Sequence, residues 1–164
     1  MDINKHLARK FLVLIDGTPE YLAALRFAAR RAHGTGGKVV LLLVIENEGF
    51  EHWLGVGTLM KEEAHGEASR ILEEAATLVE ILSGDRPETY LREGAADEEI
   101  MRLIGEDDTI STLVLASGVV GAAVSDSNDT GPLVSAVAQG RSGFNVPITI
   151  VPGALSDDEI DALT

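Results

Sequence analysis

Leu113 to Pro132 reads LVLASGVVGAAVSDSNDTGP. Leu113 to Ala116 is apolar and of β type, Ser117-Gly118 breaks it, and Pro132 opens an apolar pattern with helical spacing. Strand, glycine loop and helix in that order belong to an open α/β sheet, whose ligands lie beyond the carboxyl ends of the strands. A glycine loop feeding a helix N-terminus offers unpaired N–H groups and a positive dipole end, so phosphate is the first ligand to consider. Two residues separate Gly118 from Gly121 and nine separate Gly121 from Gly131. With 17 glycines in 164 residues, three at a preset spacing arise by chance about 0.2 times. The weight therefore falls on the loop's place, after the fourth of five strand-like runs.

The other runs alternate with helical patterns. Lys10 to Ile15 (KFLVLI) is continuously apolar, as a parallel strand covered on both faces should be. It stops at Asp16-Gly17. Thr18 suits an N-cap and Pro19 a first helical residue, which predicts a helix with Leu22, Leu25, Ala29 and Ala32 on its inner face. Gly34 to Gly37 ends it, and Lys38 to Ile45 (KVVLLLVI) is a second buried strand. Glu46 to Gly57 is either a crossover loop or a lid. From Leu59 to Leu82 the positions Ala64, Ala68, Ile71, Ala75, Leu78 and Leu82 form one stripe of a long helix. Glu88 to Leu91 is a third strand, and Asp97 can cap a helix carrying Ile100, Leu103 and Ile104 inward. Ser111 to Ala116 is the fourth strand, and Pro132 to Gln139 a short helix with Leu133, Val134 and Val137 inside. Val146 to Val151 is the fifth strand, and Pro147, which can donate no ladder bond, argues for a sheet edge. Ser156 with Glu159 forms a capping-box pattern in the acidic tail 156–164. Five strands alternating with four helices imply one α/β domain over 1–164, built on a doubly wound parallel sheet.

Composition narrows the function. The longest apolar run, Val39 to Ile45, falls far short of the roughly 18 residues that span a bilayer, which predicts no membrane segment. Lys5 and Arg9 precede an apolar stretch that ends at Asp16, so no secretory signal is expected. Zero cysteines exclude disulfides and fit a cytoplasmic protein. A net charge of −14 opposes the phosphate neutralisation that drives nucleic-acid binding. Small ligands and protein partners are expected instead. His6, His33, His52 and His65 are scattered without metal spacing and read as surface residues. Glu62, Glu63, Glu67, Glu73 and Glu74 read as a solvated helix face. No nucleophile elbow and no paired acid and base stands out, so no catalytic residue is assigned and the chain is not expected to be an enzyme.

Four stretches carry a resemblance over nearly the whole chain: LIDGT at Leu14 to Thr18, LLLVIE at Leu41 to Glu46, EGAADEEI at Glu93 to Ile100, and the glycine loop. The chain resembles the universal stress protein family. That resemblance implies a flavodoxin-like sheet of the adenine-nucleotide alpha-hydrolase type in order 3-2-1-4-5, a homodimer, and in one branch ATP binding with Mg2+. It places Asp16, Gly17 and Thr18 at the nucleotide, with Asp16 also by the metal. Val44 corresponds to the residue whose backbone meets adenine, and Gly118, Gly121 and Gly131 to the phosphate loop. Asp16 has a plainer role open to it, capping the first helix or ending a strand, and the glycines have one as a tight, mobile loop.

One departure from the family pattern changes the expectation. Where ATP-binding members have Ser or Thr after the last glycine, this chain has Pro132, which offers neither hydroxyl nor N–H to a phosphate. Asp126 and Asp129 lie in the loop with no Lys or Arg between Gly121 and Gly131. Each carboxylate repels polyphosphate by about a kcal/mol at a surface. Three readings follow: a stress-response regulator with a degenerate or altered nucleotide site, which is preferred, an ATP-binding switch with slow hydrolysis, or a non-nucleotide protein interaction module.

Overall fold

The computed structural model describes residues 9–16, 18–46, 57–118, 134, 137 and 143–164, with side chains from 62 onward in the second helix. The elements are β1 (Lys10–Ile15), α1 (Tyr21–Thr35), β2 (Lys38–Ile45), α2 (Gly57–Ser83), β3 (Glu88–Glu93), α3 (Ala96–Glu106), β4 (Ile110–Ser117), β5 (Ile148–Pro152) and α4 (Asp157–Leu163). Val134 and Val137 have helical backbone between β4 and β5. All strand pairs are parallel, in the order β3-β2-β1-β4-β5, which is the expected order.

Strand alternation divides the core into two layers. Val13, Ile15, Val39, Leu41, Leu43, Val114 and Val151 point to the face covered by α1, α2 and α4. Leu12, Leu14, Val40, Leu42, Leu113 and Leu115 point to the face covered by α3, with Val134 and Val137 packed on the same side. Each fully buried Leu or Val contributes about 1.5 to 3 kcal/mol, and with both faces covered a strand has no polar side to show. That is why the central strands read as unbroken apolar runs.

The helices depart from expectation in places, and local hydrogen bonding explains how. α1 starts at Tyr21 rather than at Pro19 because residues 18–20 form a tighter turn: Tyr21, Leu22 and Ala23 N–H donate to the carbonyls of Thr18, Pro19 and Glu20. This start turns Leu22 outward, 44% exposed, and the inner face consists of Ala23, Ala24, Leu25, Ala28, Ala29 and Ala32. Those small residues let the helix lie close to the sheet. Gly36, at φ 70°, ends it with its N–H on the Ala32 carbonyl, the left-handed stop that glycine takes without strain. In α3 the N-cap is Ala95, and Asp97 falls within the first turn, where its carboxylate accepts the Glu98 N–H. β5 is an edge strand as expected, but begins after Pro147, whose carbonyl accepts the Leu113 N–H.

The tail is ordered by its capping box. Ser156 accepts from the Glu159 N–H, and Glu159 accepts from the Ser156 N–H. Ile160 is buried in the first layer, and Arg26 clasps Asp161 through two bonds of 2.9 and 2.8 Å.

Lys10 joins β1 to the end of α3 through Asp107 at 2.7 Å and also meets Glu88 at 2.9 Å. Burial pushes the Asp107 carboxyl up, but hydrogen bonds from Lys10 and Thr109 outweigh it and leave the group below its usual range. Burial likewise opposes the Lys10 charge, and Asp107 and Glu88 overcome it and raise the ammonium above its usual value. A depressed carboxylate stabilises above its unfolded pKa and loses that contribution as pH falls through its folded value; a raised ammonium stabilises until pH climbs through its own. The pair therefore acts between about pH 4 and about pH 10. Asp107→Asn is expected to lower stability by roughly 1 kcal/mol at pH 7 and by progressively less as pH falls below about 4, as read by urea denaturation across that range.

Candidate functional site

The connections through α1 and α2 lead from β1 outward to β2 and β3, and α3 carries the chain back to β4 on the other side of β1. The strand order thus reverses between β1 and β4, the point at which such sheets bind ligands. Pairing between β1 and β4 ends at Val13↔Val114 although the strands run on to Ile15 and Ser117. On the other side of β1 it continues to Ile15↔Leu43. The ladder between β1 and β4 thus ends before either strand does, at the place where sheets of this kind leave a crevice for a ligand.

Of the residues expected here, Asp16 follows β1, Val44 lies near the end of β2 and Gly118 follows β4, so adjacent strands bring these three to one end of the sheet. Asp16 is exposed, and its Oδ1 accepts from the Thr18 N–H at 3.0 Å and the Thr18 hydroxyl at 2.6 Å. One oxygen of Asp16 thus shapes the turn, and the other takes no bond from the described residues. The carbonyl of Ile45 accepts the Gly94 N–H at 3.0 Å on the β3 side. Alternation then aims the Val44 carbonyl toward β1, past the last paired β1 residue, Ile15. Gly17, Gly121, Gly131, Asp126, Asp129 and Pro132 lie outside the described residues.

Among the described residues, the cations at this end of the sheet are paired. Arg92, opposite Val44 in register, gives its guanidinium to Glu106 at 2.7 Å and sits 3.7 Å from Glu99. The Glu106 bond raises its pKa against the opposing effect of burial. Arg102 meets Glu99 at 2.7 Å, so Glu99, only 4% exposed, is held between two arginines. Burial pushes the Tyr21 phenol up, Glu74 and Asp16 add to the shift, and Arg70 opposes it. Tyr21 thus stays a neutral donor within electrostatic reach of Asp16. The N–H groups at the start of α1 are already taken by the 18–20 turn, which leaves that helix only its dipole to offer an anion.

Sequence reasoning missed two features here. His65 reads as a plain surface residue, yet its Nε2 meets the Glu93 carboxylate and ties α2 to the end of β3. Gly153, just past β5, donates its N–H to the Ser117 carbonyl at 3.1 Å. A Cβ there would lie 2.6 Å from that oxygen, 2.6 Å from Glu20 Cγ and 2.8 Å from Glu20 Cβ. The available signal was a glycine at the end of a strand next to the glycine loop.

The family model of the universal stress proteins matches residues 8–122. Universal stress protein UspA from Lactobacillus plantarum is 15% identical, with a TM-score of 0.71 over 87% of this chain and 96% of that one. A universal stress protein solved in complex with cAMP is 18% identical, with a TM-score of 0.60 over 89% and 98%. The universal stress protein from Archaeoglobus fulgidus in complex with dAMP is 21% identical, with a TM-score of 0.59 over 88% and 98%. At these identities the likeness shows the fold. No curated protein matches the sequence significantly. Among the described residues, no helix is long and apolar enough to cross a membrane.

Proposed function

The chain belongs to the universal stress protein family, and from that premise we propose that it is a non-enzymatic regulator of the stress response whose crevice takes an adenine nucleotide and holds a triphosphate poorly. The observation that carries this reading is the parting of β1 from β4 after Val13↔Val114, with Asp16, the Val44 carbonyl and Gly118 around the opening. The relatives solved with cAMP and dAMP support the ligand class. Weak triphosphate binding follows from charge and from the loop. Arg92 is committed to Glu106, Asp126 and Asp129 are acidic, and Pro132 offers no donor. Calorimetric titration with adenosine, AMP and Mg-ATP is the test. Adenosine or AMP should bind more tightly than Mg-ATP, and no binding of any of the three at millimolar concentration would overturn the proposal.

A second reading, an ATP-binding switch with slow hydrolysis, is favoured by the Asp16 oxygen that Thr18 leaves free, since that atom fits one ligand position of Mg2+. Mg-ATP binding tighter than AMP would put it ahead.

The active form we propose is a cytoplasmic homodimer. β5 is an edge strand with Ile150 36% exposed, and a short apolar edge invites a second copy. Light scattering at micromolar concentration should give about twice 17.4 kDa, and a monomer mass would remove the claim.

A further inference from the structure

We infer that Glu20 is the residue by which the crevice discriminates on ligand charge, favouring an adenine nucleoside or monophosphate over a triphosphate; this rests on the nucleotide reading above. Three segments meet at Gly153: the turn before α1, the end of β4 and the residue after β5. A side chain at Gly153 would overlap the Ser117 carbonyl oxygen at 2.6 Å, and that oxygen is backbone, unable to swing away. Gly153 has no positive φ, so glycine is required there for closeness rather than for conformation. The space left without a Cβ is filled by the Glu20 stem, whose Cγ and Cβ lie 2.6 and 2.8 Å from where that atom would be. Glu20 is in this way seated beside Ser117, the residue before Gly118.

Glu20 as a residue is half-buried, and its carboxyl group, one bond beyond Cγ, takes no hydrogen bond or ion pair from the described residues. Other partly buried carboxylates do have cations: Asp107 has Lys10, Asp161 has Arg26, and Glu99 has Arg102. Glu20 therefore adds a negative charge, without a cation among the described residues, to the turn that also carries Asp16. Adenosine carries no charge to oppose it, AMP carries about two negative charges near pH 7, and ATP carries more. One unit charge about 4 Å from another is worth about 1 kcal/mol in water, which is about five-fold in affinity.

The test is calorimetric titration of adenosine, AMP and ATP, with and without Mg2+, into wild type, Glu20→Gln and Gly153→Ala at low salt. Gln keeps the stem and removes only the charge. Glu20→Gln should strengthen ATP binding about five-fold with adenosine unchanged, and 0.5 M salt should shrink that difference by screening. Gly153→Ala, which displaces Glu20 and Ser117 together, should weaken adenosine and ATP alike. An ATP-to-adenosine affinity ratio that is the same in wild type and Glu20→Gln would overturn the assignment while leaving the nucleotide reading intact. Failure of wild type to bind any of the three would overturn both.

Discussion

Pro132→Ser is expected to raise ATP affinity at least ten-fold. Proline after Gly131 brings neither an N–H nor a hydroxyl to the start of the predicted helix; serine restores both. Each charge-assisted hydrogen bond to phosphate is worth about 1.5 to 3 kcal/mol, so even one formed well gives about ten-fold. Adenosine, which lacks phosphate, should bind the variant no better than wild type. Asp126→Asn and Asp129→Asn in the same background should add to the gain by removing two like charges from the loop. These positions lie outside the described residues, and the prediction stands on the sequence pattern and the chemistry of proline. Titration of wild type, Pro132→Ser and the triple variant with Mg-ATP decides it. If none of the three binds, the alignment of Gly118, Gly121 and Gly131 with a phosphate loop is wrong.

Leu42→Ala is expected to destabilise the fold by about 3 kcal/mol. Leu42 is fully buried, lies beside Leu14 of β1 and Tyr90 of β3 in register, and belongs to the layer under α3. Its neighbours sit on strands pinned by the ladder on both sides, so they cannot move in to fill the space, and the cavity penalty adds to the lost transfer energy. Ile81→Ala removes a side chain of similar size that is 74% exposed, and should change stability by less than about 0.5 kcal/mol. Urea denaturation of both variants gives the comparison. Equal losses would mean that the two-layer core is misassigned.

The parts of the fold that were legible in the sequence are those in which local pattern and tertiary burial agree. β1, β2 and β4 are covered on both faces, so KFLVLI and KVVLLLVI announced themselves, and Pro147 marked the sheet edge because its missing N–H cannot serve a central ladder. The start of α1 was less legible. Thr18 and Pro19 look like a cap and a first turn, but the Asp16 carboxylate takes the Thr18 N–H and hydroxyl, and the helix begins two residues later. Leu22 then points outward, a consequence of phase that no count of apolar spacing reveals. The burial of Glu99 leaves no mark in the local pattern, because its partners, Arg92 and Arg102, are brought to it by β3 and by the next helical turn. In the candidate site, Asp16, Val44 and Gly118 were found by resemblance to a family motif. Glu20 and Gly153 were not, since their contact joins positions 133 residues apart and leaves no periodic trace.

The central claim is that an adenine nucleotide binds where β1 parts from β4. Backbone amide chemical shifts followed by NMR during titration with AMP test it most directly. The account predicts the largest shifts at Asp16, Thr18, Val44, Ile45, Ser117 and Gly118, with small ones along α4 and the amino ends of the strands. Shifts centred on β5 and α4, or an unchanged spectrum at millimolar AMP, would contradict it.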